Sequence, residues 1–123
     1  MHKVTGIGGV FFRAKDPKAL TKWYEDVLGI DINHQTWVQE RGQTVFAPFK
    51  ADSDYFGRPD QQWMLCFRVN NLKAMVEQLK SAGITVTQNS EWNSEVGEFA
   101  RIHDPEGNPI ELWQPSDYSL NMM

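Results

Sequence analysis

The chain contains one cysteine, Cys66, so no internal disulfide can form. It has no dense run of lysine or arginine. Its 12 basic side chains are outnumbered by 16 acidic ones, for a formal net charge of −4. A basic face for nucleic acid is therefore not expected. The longest apolar run near the middle, Trp63 to Phe67, is far short of a membrane span. The opening Met1-His2-Lys3-Val4-Thr5-Gly6 lacks the apolar core of a secretory signal. These absences together set a reducing cytoplasm as the expected compartment, with neither membrane nor nucleic acid as partner. Histidine is scarce too: His2, His34 and His103 show neither His-x-His nor His-Glu-x-x-His spacing.

What is present is an ordinary globular composition over 123 residues, 41% hydrophobic and 23% charged, sized for a single domain. Val4 to Ala14 is rich in β-branched and aromatic residues and reads as a strand. Asp16-Pro17 supplies an N-cap and a first helical residue, and Ala19, Leu20, Trp23, Val27 and Leu28 recur at helical spacing up to Gly29. Ile30 to Gln39 and Gln43 to Phe49 read as strands joined at Arg41-Gly42. Ala51 to Asp60 is a polar connection. The pattern then restarts. Met64 to Val69 reads as a strand, and Asn70 or Asn71 caps a helix carrying Leu72, Met75, Val76 and Leu79, stopped by Gly83. Ile84 to Thr87 is a short strand. Phe99 to His103 and Pro109 to Trp113 form a hairpin around Asp104-Pro105-Glu106-Gly107-Asn108.

The restart is an internal repeat. Moved by 55 residues, Phe12 falls on Phe67, Arg13 on Arg68, Lys18 on Lys73 and Ala19 on Ala74. A shift of 54 aligns Gly29-Ile30 with Gly83-Ile84, and a shift of 65 aligns Gly42 with Gly107 and Val45 with Ile110. The order β-α-β-β-β therefore occurs twice, and caps, stops and apolar positions agree with it.

Four motifs carry a family resemblance. They are Gly6-Ile7-Gly8-Gly9-Val10-Phe11-Phe12-Arg13 with Asp16-Pro17; Trp23-Tyr24-Glu25-Asp26-Val27-Leu28-Gly29-Ile30; Phe67-Arg68-Val69-Asn70-Asn71-Leu72; and Asp104-Pro105-Glu106-Gly107-Asn108-Pro109-Ile110-Glu111-Leu112-Trp113. Together they make the chain resemble the vicinal oxygen chelate superfamily, which includes glyoxalase I, bleomycin- and fosfomycin-resistance proteins and extradiol dioxygenases. The resemblance implies an α+β fold. Two β-α-β-β-β modules, about 4–50 and 62–115, would curl their strands around a shared cavity with helices outside, followed by a tail, 116–123. It also implies a homodimer.

Metal-dependent members of the superfamily place ligands at four pseudo-symmetric points, on the first and last strands of each module. Carried over, these points are Gly9, Phe46, Met64 and Glu111. Glycine and phenylalanine offer no ligand, and a thioether is poor for hard divalent ions. One carboxylate is short of the three protein ligands of a usual catalytic site. No metal and no other cofactor is therefore expected.

Glu111 is either a surviving ligand or general base, or a structural carboxylate. The hairpin sets Arg101 opposite it, and Arg13 and Arg68 alternate onto the same strand face as Gly9 and Met64. An ion pair between Glu111 and one of these arginines is the expectation, since a bare buried charge is costly. His103 is the second acid–base candidate, because an ordinary histidine titrates near ~6.5. Phe11, Trp37, Phe46, Met64, Cys66 and Trp113, with the three arginines, are the candidate lining of a ligand cavity; the alternative is a cavity filled by these same side chains. Cys66, as a buried strand cysteine, is expected to be inert as a nucleophile. The segment Asp52-Ser53-Asp54-Tyr55-Phe56-Gly57 places adjacent aromatics in a polar loop, either over the cavity mouth or between the modules.

Three functions follow from these readings. The first is binding of a small apolar or aromatic molecule, in the manner of the glyoxalase and bleomycin-resistance group, without a catalytic metal. The second is a metal-dependent glyoxalase-like lyase or isomerase, or a dioxygenase, with relocated ligands. The third is a partner protein using the fold as a scaffold.

Overall fold

A computed structural model describes residues 1–120; the last three residues of the expected tail lie outside the described residues. Two amphipathic helices pack on one face of a three-stranded sheet. Helix α1 spans Pro17–Leu28 and helix α2 spans Leu72–Ser81. Both start as the sequence dictates. Asp16 accepts from the amide of Ala19, Asn71 accepts from that of Ala74, and Pro17 fills the first turn where no amide partner exists. Gly29 ends α1 in the left-handed conformation, at φ 71°.

The sheet comes from the second half of the chain. Strands β1 (Leu65–Arg68), β2 (Gly97–His103) and β3 (Pro109–Pro115) lie in the order β1-β3-β2, with β1 parallel and β2 antiparallel to β3. The β2–β3 hairpin has the register expected from its loop, with His103 opposite Pro109 and Arg101 opposite Glu111. Thr87 bridges to Arg101, the one paired residue of the expected strand at Ile84 to Thr87. A short helical turn, Ser90–Trp92, precedes β2, and helix α3 (Asp117–Leu120) follows β3.

Alternation along the strands divides the sheet. Ala100, Ile102, Ile110 and Leu112 face the helices and pack with Leu20, Tyr24, Leu72, Val76 and Leu79. Leu79, Ile102, Ile110 and Leu112 are fully buried. Burial of each is worth about 1.5–3 kcal/mol, so these four anchor the helix layer. The other sheet face carries Cys66, Arg68, Phe99, Arg101, Glu111 and Trp113.

The loop Asp104 to Asn108 ties α1 to this sheet. Asp104 is buried and accepts from the hydroxyl of Tyr24 (2.8 Å), the amides of Glu106 (2.9 Å) and Asn108 (3.0 Å), and the Asn108 side chain (2.8 Å). Glu106 accepts from the amides of Lys15 (2.6 Å) and Asp16 (3.1 Å) ahead of the helix. The motif Asp-Pro-Glu-Gly-Asn is thus a clasp as well as a turn: six donors converge on two carboxylates.

The first half of the chain departs from expectation. Val4 to Ala14, Ile30 to Gln39 and Gln43 to Phe49 form no ladder; among the described residues the one pairing there is the tight turn Asn33–Thr36. The physical reason is that strand propensity acts only through a partner. These segments leave several apolar side chains in solvent: Val4 is 91% exposed, Phe11 97%, Val38 89% and Phe46 86%. Unsatisfied strand edges and bare apolar rows are what a missing partner leaves behind.

Candidate functional site

The sheet face away from the helices gathers the chemistry. Parallel pairing sets Cys66 beside Glu111, and antiparallel pairing sets Arg101 on its other side. The connection between the two halves then lays Tyr55 across them. The Tyr55 hydroxyl donates to Oε2 of Glu111, and the Cys66 thiol donates to Oε1 at 3.3 Å. Arg101 donates to the Tyr55 carbonyl at 2.8 Å and holds its guanidinium 4.6 Å from the Tyr55 ring centre and 5.5 Å from that of Trp92. Phe49 stacks on Tyr55 at 5.7 Å, and Trp92 meets Tyr55 edge-on at 6.2 Å. The result is a carboxylate with two neutral donors, rimmed by aromatic rings and a stacked cation. Arg101 Nε is buried there with no hydrogen-bond partner among the described residues.

The carboxylate shapes its donors. Burial, reinforced by the bond to Glu111, pushes the Tyr55 hydroxyl up to about 12. Solvent reaches Cys66 along the open face. Even so, the protein packed around its sulfur, and next the Glu111 charge, hold the thiol well above its ordinary value. A protonated thiol is a poor nucleophile, but the expectation that Cys66 is buried is corrected, because its strand leaves it exposed. His103 shifts the other way. Desolvation lowers it first, followed by the nearby Arg101 and Arg58 charges. At neutral pH it is an uncharged base at the end of β2, exposed to solvent.

The expected partner of Glu111 is corrected. No ion pair to Glu111 occurs among the described residues; the carboxylate takes a phenol and a thiol instead. Its candidate arginines are otherwise engaged. Arg101 is held by the Tyr55 carbonyl and rings. Arg68 donates to the carbonyls of Gln43 and, at 2.9 Å, Glu40, with its guanidinium against Gly42. Arg13 is exposed.

The expected cavity lining is corrected in part. Phe11 and Phe46 point into solvent, because the strands meant to aim them inward have no ladder. Trp37 packs on Phe67, 5.9 Å between ring centres, and Phe67 belongs to the helix-side core. Trp113 is buried, stacked on Phe99 and donating to the Val96 carbonyl at 2.9 Å, so it supports the sheet rather than lining an opening. Met64 is half-buried one residue ahead of β1. Cys66, Arg101 and Glu111 do come together. Tyr55 lies over Glu111, in line with the cavity-mouth alternative for the loop Asp52 to Gly57, and Trp92 stands at the rim; Phe49 is a site residue that the sequence did not signal. Two shallow grooves lie elsewhere, the first lined by Leu28, Arg68, Met75 and Gln78, the second by Asn93, Gly97 and Gln114. Neither includes Glu111.

The metal chemistry implied by the resemblance needs several hard donors at one point. Of the four carried-over points, only Glu111 has a hard donor. His34 lies in the Asn33–Thr36 turn, apart from the sheet. No group of three or more His, Cys, Asp and Glu side chains able to hold an ion occurs among the described residues. The residues present do not fit a catalytic divalent ion.

Mixed α+β architecture, the Asp-Pro-Glu-Gly-Asn clasp and a lone glutamate on the last strand define a glyoxalase-like protein. Residues 9–113 match the Glyoxalase-like domain, and the chain belongs to that family. Among solved structures it is similar to TnmS3, an antibiotic-binding protein from Streptomyces sp. CB03234, at 25% identity, covering 94% of this chain and 100% of that one, with a TM-score of 0.59. It is also similar to a glyoxalase/bleomycin resistance protein from the same Streptomyces, at 24% identity over 81% and 92% of the two chains, TM-score 0.50. An integron cassette protein of V. cholerae shares the fold at 20% identity, covering 94% and 99%, TM-score 0.58. No curated protein matches the sequence. No helix among the described residues is long and apolar enough to cross a membrane.

Proposed function

We propose that this glyoxalase-like protein binds a small apolar or aromatic molecule, without a catalytic metal, on the sheet face around Glu111. One observation carries the reading: the glutamate that would be a metal ligand is bound instead by Tyr55 and Cys66, inside a rim of aromatic rings. The likeness to TnmS3, an antibiotic-binding protein, supports the same direction. The exposed strand-forming segments of the first module belong, in this reading, to the second wall of a shared cavity, completed in a C2 homodimer in the cytoplasm. Phe11 and Phe46 then gain the cover that they lack in one chain.

The experiment is a calorimetric titration with planar aromatic antibiotics, paired with elemental analysis of protein purified without added metal. Saturable heat with well under one divalent ion per chain is the expected result. Near-stoichiometric metal that survives dialysis would instead favour a lyase, isomerase or dioxygenase with relocated ligands.

A further inference from the structure

Tyr55 sits on the sheet face as a bound ligand would. It arrives from 56 residues away in sequence, on a connection of turns rather than on a strand or helix. Its ring is stacked on Phe49, met at its edge by Trp92 and covered by the Arg101 guanidinium. Its hydroxyl is donated to Glu111. None of these contacts depends on the phenol being part of the chain. Aromatic faces, a stacked cation and a carboxylate acceptor together recognise a hydroxylated aromatic ring.

The hold on Tyr55 is also incomplete. Its side chain is only part-buried, and the loop's backbone is tied by the local turns Ser53–Lys50 and Gly57–Asp54 and by Arg101 donating to the Tyr55 carbonyl at 2.8 Å. Beside it, Arg101 Nε lacks a partner among the described residues, so the closed arrangement leaves one buried donor unpaid. An occupant whose side chain is part-exposed and which leaves a donor unsatisfied is one that a better-fitting ring can displace.

Resting on the ligand-binding reading above, we propose that the ligand is a hydroxyaromatic molecule that takes the place of Tyr55. Its ring lies between Phe49, Trp92 and Arg101, and its hydroxyl is donated to Glu111. Tyr55 is then an internal competitor. The affinity measured for any ligand is lowered by the fraction of molecules in which Tyr55 holds the site.

Equilibrium dialysis of the full chain with 2-naphthol and with its methyl ether tests this. The ether keeps the ring and loses the donated proton. Wild type is expected to prefer the naphthol by about tenfold, the size of one hydrogen bond to a charged acceptor. Tyr55→Phe keeps the packing and frees Glu111, so it should bind the naphthol several-fold more tightly. Glu111→Leu, if its melt shows it folded, should bind both probes alike; the Tyr55→Phe arm stands without it. Equal binding of the two probes by wild type, or unchanged naphthol affinity in Tyr55→Phe, would overturn the hydroxyaromatic inference and leave the ligand-binding reading intact. Failure of wild type and Tyr55→Phe to bind either probe would overturn both.

Discussion

Tyr24 donates its buried hydroxyl to Asp104 across 80 residues of sequence, at 2.8 Å. The bond joins the first helix to the hairpin loop of the second half. It explains why two motifs so far apart belong to one signature: one supplies the donor and the other a carboxylate with four donors around it. Tyr24→Phe keeps the ring that packs on Phe67 and removes only the bond. Denaturant unfolding should show a loss of about 1.5–3 kcal/mol, since a hydrogen bond to a charged group is worth roughly twice an ordinary one. Asp104→Ala should cost more, because it orphans several donors at once.

Gly97 adopts φ 144°, and a Cβ there would run into the Gln114 carbonyl and the Trp113 indole nitrogen, which is bonded to Val96. Gly97→Ala combines backbone strain, about 1–3 kcal/mol, with that collision. A clear fall in melting temperature is expected. Gly29→Ala at the end of α1, where nothing lies within contact of a Cβ, should cost less.

Cys66 should react slowly with iodoacetamide at mildly alkaline pH, slower than free cysteine, because burial and the Glu111 charge keep the thiol protonated. Glu111→Gln removes the charge and should accelerate the reaction. Alkylation at an equal rate in both proteins would show that Glu111 does not act on Cys66.

Tyr55 and Tyr24 predict the alkaline limit. Both hydroxyls are raised in the fold, by burial first and their carboxylate partners second. The folded state therefore holds these protons more tightly than the unfolded chain does. The stability they contribute is fully present below the ordinary tyrosine value near ~10. It is lost as pH rises toward the folded value, about 12 for Tyr55. Melts across this window should fall steeply in wild type and less steeply in Tyr55→Phe. A slope unchanged by that substitution would count against the Tyr55–Glu111 bond.

Local chemistry made much of this fold legible. Asp16, Pro17, Asn71 and Gly29 marked the helix ends because caps and stops are decided within one turn of chain. The five-residue loop 104–108 fixed the hairpin register, and with it the adjacency of Arg101 and Glu111. The first-half strands were not legible as structure, because pairing is a property of two segments and Val4 to Ala14 finds no second one among the described residues. The partner of Glu111 was misassigned for a related reason. Strand alternation places three arginines near it, but alternation cannot foresee that the carbonyls of Glu40 and Gln43 claim Arg68, or that a loop brings Tyr55 in.

The central claim is that ligands bind at Glu111 on the open sheet face. Backbone amide NMR of the protein, titrated with a planar aromatic antibiotic, tests it most directly. The account predicts saturable shifts clustered at Tyr55, Cys66, Trp92, Arg101 and Glu111. Saturable shifts confined to the groove beside Leu28, Met75 and Gln78, with those five residues unmoved, would contradict it.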